Sequence, residues 1–535
     1  MKPTSPTRPV RVTNTLTRRV EPVVPPGETR DRLLFYSCGP TVYDDAHIGN
    51  FRAFLCADVL RRTLELAGHR VRHVMNITDV GHMTDDSNAD GAGEDKMAVA
   101  GRRIAEAKKA GTLPAGAEVD PRDPFAIADF YAGRFLEDAR ALGLKVALES
   151  VADPSLMPRP TRFVPQMVAL VERLIARGHA YVASDGVVYF DVRSFSAYGR
   201  LSGNTLDALR EGAGERILAT NQAVKRHPAD FMLWKPDPSH LMRWPSPWGE
   251  GYPGWHLECS AMAAALLGEE IDLHSGGEDN VFPHHECEIA QSCCASGRPT
   301  FARVWFHNRH LMVEGQKMSK SKGNFFTARD LFSRGATPAA LRLELIRTHY
   351  GANANFTLQG LADCQRQIDR WARAAAALAA RAGLPAGIAS ADGGAEDAAR
   401  LEQSCRAGAA PGPLESALEP FTAALCDDLN VARAMAAINE GIGDGAAGEC
   451  PARELLALRR MDSVLGVLGR NQAIRSAGAT QDPLEVRVAA LLEARTAARA
   501  SRNFAESDRI RDELLGMGVT IKDGPGGTTW SRVVK

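Results

Sequence analysis

The sequence predicts an α/β protein built on a parallel sheet, interrupted by an insertion and followed by a helical C-terminal third. Three observations predict it. A strand–helix–strand unit lies at residues 31–77, strand signals resume at 270–275 and 303–308, and from about 366 the apolar spacing turns helical. With 535 residues, and about 150 per domain, the chain has room for three or four domains.

DRLLFYSC (31–38) reads as the first strand and HRVRHVMNI (69–77) as the second. Between them Phe51, Phe54, Leu55, Val59, Leu60 and Leu64 recur at helical spacing from Asn50 until Gly68. His47 to Asn50 then stand at the C-terminal end of the first strand, beside a helix N-terminus. Phosphates bind at such a place because free N–H groups and the helix dipole converge there. Residues 126–245 read as an insertion with its own helices, FVPQMVALVERLIARGHAYV (163–182) among them. EIDLHS and RVWFHN return the chain to the sheet. The helical region beyond 366 is rich in Ala and Arg, and AGLPAGIASADGGAEDAA (382–399) reads by composition as a mobile loop. The last 55 residues combine a charged helical stretch with VTIKDGPGGTTW (519–530), a strand and turn. No internal repeat is visible.

Composition excludes more than it identifies. Hydrophobic residues are 44% and charged residues 24%, ordinary for a globular chain. No apolar run reaches the roughly 18 residues of a membrane span, and the N-terminal MKPTSPTRPVRV has no apolar segment behind it to make a signal peptide. Ten cysteines without a CxxC pair do not form a disulfide framework, and the adjacent Cys293 and Cys294 read as small buried hydrophobes. Cytoplasmic residence is the expectation. A net charge of −1 gives no bulk sign of a nucleic-acid partner; such a partner has to be read from motifs.

Four constellations carry chemistry. DSNADG (86–91) sets Asp86, Asn88, Asp90 and Gly91 in calcium-loop register, but the twelfth position, where a bidentate Glu is needed, is Met97. It reads as a solvated loop. FPHHECEIAQ (282–291) fails as HExxH because Ile289 stands four after His285, yet His284 and Glu288 are four apart and share a helix face. They offer one nitrogen and one oxygen to a metal, or make a surface contact. GWHLECSAMAAALLG (254–268) places Cys259 near the start of an apolar helix, where the exposed backbone end favours a thiolate. A packed core cysteine fits the same letters. Finally, Lys317-Met318-Ser319-Lys320-Ser321-Lys322-Gly323-Asn324 sets three lysines in six residues of a glycine-ended loop. Alone it would be a solvated face; with the His-Ile-Gly turn after the first strand it is a joint signature of nucleotide chemistry.

HIGN with KMSKS resembles the class I aminoacyl-tRNA synthetases. CGPTVYD, NITD, GWHLECSAM, DLHSGGEDNVFPHHECEIAQ and KMSKSKGNFF narrow the likeness to the cysteinyl-tRNA synthetases, from VTNTLTR near residue 12 to DGPGGTTW near the end. The resemblance implies a Rossmann-like catalytic domain in two halves, 1–125 and 246–310, split by an inserted connective domain at 126–245. It implies a stem-contact region with the KMSKS loop at 311–365, a helical bundle that binds tRNA at 366–480, and a small anticodon-binding domain at 481–535. It implies one zinc ion per chain, held by Cys38, Cys259, His284 and Glu288, a donor set zinc accepts. Thr78 and Trp255 would contact the amino acid, with His274 near it. His47 and Asn50 would face the ATP phosphates, Gly277 and Asp279 the adenosine, and Lys317 and Lys320 the triphosphate.

The implied activity is activation of L-cysteine by Mg-ATP to cysteinyl-adenylate and transfer to the 3′ end of tRNA(Cys), by a monomer in the cytoplasm with no membrane partner. Zinc would make the choice of cysteine over serine a matter of bonding, since near-isosteres are poorly separated by an ordinary pocket. One position departs from the family's HIGH turn: Asn50 replaces its second histidine, so it can donate a hydrogen bond but cannot become a cation. The C-terminal 55 residues hold nine Lys/Arg and eight Asp/Glu, so an anticodon reader here would work through base-edge contacts rather than bulk charge. Trp530 is a stacking platform for a base or a core indole. Two alternatives share parts of the pattern: a cysteine ligase acting on an amino sugar in mycothiol synthesis, which would lack the C-terminal unit, and a non-catalytic tRNA-binding paralogue, which would have lost the zinc donors or the KMSKS lysines.

Overall fold

A computed structural model describes residues 8–81, 83–85, 92–114, 117–204, 224–319, 323–390, 394–405, 410–443, 448–470, 483–500, 503–524 and 527–532. Its centre is a four-stranded parallel sheet made of β1 (Leu33–Ser37), β2 (Val71–Met75), β3 (Ile271–Gly277) and β4 (Ala302–Asn308), in the spatial order β4-β3-β1-β2. Phe35, Tyr36, Val74, Leu273 and Trp305 are buried, because helices cover both faces of such a sheet. The sheet lies where the sequence places it, and the chain crosses from β1 to β2 through α1 (Ile48–Leu66).

Helix α1 is buried on nearly every side, which explains its unusual load of buried charge. Arg52 is fully buried and donates to the carbonyls of Leu345 (2.7 Å), His349 (3.1 Å) and Ala352 (3.1 Å). Asp58 accepts from Arg62 Nε (2.7 Å) on its own helix and from the fully buried Arg342 Nη2 (2.6 Å). Both arginines also donate to carbonyls at the end of the helix Pro451–Leu465, Arg62 to Ser463 (2.9 Å) and Arg342 to Leu465 (2.5 Å). The partial negative charge of a helix C-terminus is thus met by guanidinium groups from the sheet side of the molecule. These bonds tie the C-terminal helices to the helix that follows the HIGN turn.

The region expected to be an insertion holds a second sheet, antiparallel, formed by Ala180–Val182, Val188–Phe190, Phe231–Pro236 and Gly251–Pro253. Its own core contains Phe190, Phe231 and Trp234. The fourth strand lies past residue 245, and the helix Pro124–Ala141 joins the main core instead, with Phe135 stacked on Phe51 at 5.7 Å.

Two helices complete the site. Helix α2 (Trp255–Leu266) and helix α3 (Glu286–Ser296) carry the GWHLECSAM and HHECEIAQ segments and pack on the sheet. Beyond them come the helices Leu358–Ala382, Ala395–Gln403, Pro413–Cys426, Val431–Ile442 and Pro451–Leu465. One expectation is corrected here. Composition suggested a mobile loop at 382–399, but Gly383 caps the preceding helix in the left-handed conformation and Ala386–Ala389 form a 3₁₀ turn. Ile388 and Ala389 are buried, and Arg459 donates to the carbonyls of Ile388, Ser390 and Gly394. A buried cation holds the described residues on either side of 391–393, a long-range contact that local composition cannot register.

The C-terminal helices Pro483–Ala500 and Phe504–Gly516 and the hairpin Val519–Gly524/Gly527–Arg532 share a separate core of Val488, Ile510, Leu514 and Val519. The backbone pairs Ile521 with Trp530. Residues 86–91 and Lys320 lie outside the described residues. Among the described residues no helix is long and apolar enough to cross a membrane.

Candidate functional site

The C-terminal ends of β1 and β3 open onto one cluster. Cys38 follows β1, and its neighbour must be glycine, because a Cβ at Gly39 would lie 1.7 Å from the Asn76 carbonyl oxygen. Cys38 Sγ stands 3.9 Å from Cys259 Sγ on α2, 3.2 Å from His285 Nε2 and 3.7 Å from Glu288 Oε1 on α3. Glu288 is fully buried, with His274 Nε2 at 2.9 Å from one oxygen and His284 Nε2 at 3.0 Å from the other. Donor atoms of Cys38, His284, His285 and Glu288 all lie within 4.8 Å of one another.

His284 and Glu288 meet although α3 begins only at Glu286. The turn before it, Val281–His285, is interrupted by the extended backbone of Phe282, and this turn delivers both histidines to the cluster. His284 also bonds His256 (Nδ1 to Nδ1, 2.9 Å) and lies under the Trp255 ring at 4.6 Å.

The electrostatics suit a cation. Burial by itself would raise the Glu288 carboxyl, but His274 and His284 outweigh it and hold it near about 2. Burial opposes charging of His284, and Glu288 overrides it, lifting the imidazole to about 10. The two thiols divide their roles. The Cys38 hydrogen bond draws Cys259 down to about 7, while burial and the Cys259 sulfur push Cys38 well above an ordinary thiol. The two sulfurs lie 3.9 Å apart, and thiols give up their protons on binding a metal. Two sulfurs, imidazole nitrogen and a carboxylate oxygen form a donor set that zinc takes. His285 is an additional donor; its Nδ1 bonds His307 Nε2 at 2.7 Å, and His307 Nδ1 bonds Thr15 Oγ1 at 2.8 Å.

Thr78 lies at the same edge, buried, its hydroxyl accepting from Asn76 Nδ2 at 2.9 Å. Asn76 Oδ1 in turn accepts from Gly39 N–H at 3.0 Å and lies 3.8 Å from Cys259 Sγ. Beside this cluster His47 caps α1. Its Nδ1 accepts from Asn50 N–H and Asn50 Oδ1 accepts from His47 N–H, both at 3.2 Å, a reciprocal capping box. The turn is tied to the segment after the lysine loop, where Ile48 N–H donates to Phe326 O at 3.0 Å and Phe325 meets the His47 ring edge at 5.3 Å. A Cβ at Gly49 would come within 2.6 Å of Met318 Cε, so the two motifs touch. Lys317 is exposed, and Asn324 staples the loop by accepting from Ser319 N–H (2.9 Å) and donating to Lys317 O (3.2 Å).

Gly277 ends β3, and its N–H donates to Asn280 Oδ1 at 2.9 Å. Asp279, in the following turn, is 89% exposed at the rim, with His310 Nδ1 3.7 Å away. Cys38, Cys259, His274, His284 and Glu288 therefore meet in one cluster, whereas Asp279 and Lys317 stand at the solvent edge. Asn76, His256, His285 and His307 join the site without having been singled out. The doubled histidine in FPHHECE was the visible signal for His285, and Asn76 and His256 lie within the NITD and GWHLECSAM motifs; His307 is brought in only by the tertiary fold.

The comparisons with known proteins agree along the whole chain. The family described as "tRNA synthetases class I (C) catalytic domain" matches residues 27–366, and "Cysteinyl-tRNA ligase anticodon binding domain" matches residues 482–530. A cysteine–tRNA ligase of Salinibacter ruber is 42% identical over 554 residues, covering 98% of each chain. One from Symbiobacterium thermophilum is 39% identical over 532 residues, covering 98% of this chain and 99% of its own. Another from Rhodospirillum rubrum is 40% identical over 531 residues with the same coverage.

Proposed function

The chain belongs to the cysteine–tRNA ligase family of class I synthetases, and on that footing we propose that it activates L-cysteine as cysteinyl-adenylate and passes it to the 3′ end of tRNA(Cys). The observation that carries this reading is the buried cluster of two thiols, imidazoles and Glu288 at the C-terminal edge of the parallel sheet, next to the capped start of α1. Cys38, Cys259, His284 and Glu288 would hold one zinc ion per chain. Bound there, zinc would ligate the substrate's thiolate, a soft donor that the hydroxyl of serine cannot imitate.

The protein groups do the rest. His274 Nε2 holds one oxygen of Glu288 and His284 Nε2 the other, so the carboxylate is oriented within the cluster. Trp255 and Thr78 border the space where an amino acid would lie. The positive N-terminal end of α1, with His47 and Asn50, would receive the phosphates of Mg-ATP, and Gly277 and Asp279 its adenosine. Lys317 and Lys320 would neutralise the charge that builds on departing pyrophosphate as the cysteine carboxylate attacks the α-phosphate. Such chemistry is positioning and charge compensation, which matches a site of loops tied together by hydrogen bonds.

A match over residues 482–530 to an anticodon-binding family favours tRNA as acceptor over an amino sugar. Intact donors at positions 38, 259, 284 and 288 weigh against a non-catalytic paralogue. We read the protein as a cytoplasmic monomer acting in translation. The test is ATP–pyrophosphate exchange with purified protein. Exchange that depends on cysteine and is negligible with serine supports the reading; equal exchange with both would reject thiolate recognition.

A further inference from the structure

One turn of the helix Pro124–Ala141 grips the chain beside both the HIGN turn and the lysine loop. Asp45 stands two residues before His47, and Arg134 closes on its two carboxylate oxygens, Nε on one and Nη2 on the other, each at 2.6 Å. Arg329 stands two residues after Thr327, whose backbone bridges His47. Its Nε donates to Asp138 Oδ2 at 3.0 Å, and its Nη2 to Glu137 Oε2 at 2.6 Å and to the Arg134 carbonyl at 2.9 Å. Arg134, Glu137 and Asp138 share one face of their helix, at i, i+3 and i+4. The opposite side of that helix is buried, and Phe135 packs on Phe51 and Phe54 of α1 with ring centroids 5.7 and 5.6 Å apart.

An exposed ion pair adds little to stability, and Glu137 is 68% exposed. Asp138 differs, with a side chain only 7% exposed. A guanidinium that divides its donors among two carboxylates and a carbonyl of one helical turn is fixed in direction as well as in place. Asp45 and Arg329 are thus both referred to one rigid element. Between Arg329 and the lysine loop the chain is short, and Asn324 and Met318 carry the connection to Ser319, Lys317 and Gly49. We propose that Arg134 and Arg329 are positioning residues for adenylate formation: with their helix they form a brace that sets the lysine loop against the HIGN turn at the spacing the reacting triphosphate requires. This role rests on the adenylation chemistry proposed above and adds to it residues that do not touch substrate. A misplacement of about 1 Å, even from a change far from the chemistry, can cost on the order of a hundredfold in rate.

The test is cysteine-dependent ATP–pyrophosphate exchange by the full-length protein. Arg329→Met and Arg134→Met each keep the apolar stem and remove the donors. Each should lower kcat about tenfold or more, while the KM for cysteine and the zinc content stay at wild-type values. The double variant should be no slower than the slower single one, because a brace cut at one end is already open. Arg173→Met, which breaks an exposed pair with Glu269 away from both motifs, should leave the rate unchanged. Asp138→Asn keeps the shape of the helix face, should slow the reaction in the same way, and serves if Arg329→Met does not fold. A kcat within twofold of wild type, rate losses that multiply in the double variant, or an effect confined to the KM for cysteine or to the melting temperature would overturn the proposal. A wild-type protein without cysteine-dependent exchange would instead overturn the adenylation reading itself.

Discussion

Replacing Asp58 by asparagine removes one charge at the joint between the catalytic sheet and the C-terminal helices. Asp58 is 1% exposed and is the carboxylate shared by Arg62 and Arg342, at 2.7 and 2.6 Å; its other oxygen accepts from Lys145 N–H at 2.8 Å. Breaking a buried pair by removing one partner costs about 3–5 kcal/mol, because the guanidinium groups stay in place without compensation. At roughly 2–4 °C per kcal/mol for domains of 150–250 residues, Asp58→Asn should lower the melting temperature by about 6–20 °C. The pH dependence has a definite sign. Burial would raise the Asp58 carboxyl, but Arg62 and Arg342 win and hold it well below the usual carboxylate range. Its contribution is therefore complete above the unfolded value of about 4 and is lost as the pH falls below it. The gap between wild type and variant should be widest near neutrality and narrow in acid. Replacing both members by apolar residues, Asp58→Leu with Arg342→Met, should recover part of the loss, since Arg62 keeps the Ser463 and Gly143 carbonyls as acceptors. Thermal unfolding followed by circular dichroism decides it. An Asp58→Asn variant melting within 2 °C of wild type at pH 7 would refute the assignment of this joint as a stabilising charge centre.

Cys259→Ser should lower bound zinc and erode the discrimination against serine; normal metal content with normal selectivity would remove Cys259 from the ligand set. Asn50→Ala deletes one half of the capping box on α1, worth about 1 kcal/mol, and should raise the KM for ATP without altering zinc content, as pyrophosphate exchange and metal analysis would reveal. Lys320→Ala should slow adenylate formation on the order of a hundredfold with little change in cysteine affinity; exchange within twofold of wild type would contradict its role. Truncation before residue 481 removes a unit whose core of Val488, Ile510, Leu514 and Val519 is its own. Cysteine-dependent exchange should survive that truncation while tRNA charging falls sharply, and equal loss of both would reject the separation.

The sheet was legible because its code is local. DRLLFYSC and HRVRHVMNI flank an apolar helix pattern, and the structure has strands at Leu33–Ser37 and Val71–Met75 around Ile48–Leu66. The metal donors were legible only through motif resemblance: spacing linked His284 to Glu288, but nothing in the sequence near Cys38 points to Cys259, 221 residues away. The antiparallel sheet of the insertion escaped notice since its strands at 180–182, 188–190 and 251–253 are three residues each, too short for an alternation to register. At 382–399 the small residues look like a linker, whereas the described residues 386–390 and 394 carry a 3₁₀ turn and carbonyl contacts to Arg459, distant in sequence. Asn50 looked like a lost histidine and turns out to complete a helix cap.

X-ray absorption at the zinc edge tests the assignment of the cluster most directly, recorded on the full-length protein before and after saturation with L-cysteine. The expected spectrum of the free protein fits two sulfur and two nitrogen or oxygen neighbours at the distances zinc prefers, about 2.3 Å and 2.0–2.2 Å. Addition of cysteine should bring a third sulfur into the shell, and addition of serine should change nothing. A zinc shell with fewer than two sulfurs, or one indifferent to cysteine, would contradict thiolate recognition at Cys38, Cys259, His284 and Glu288.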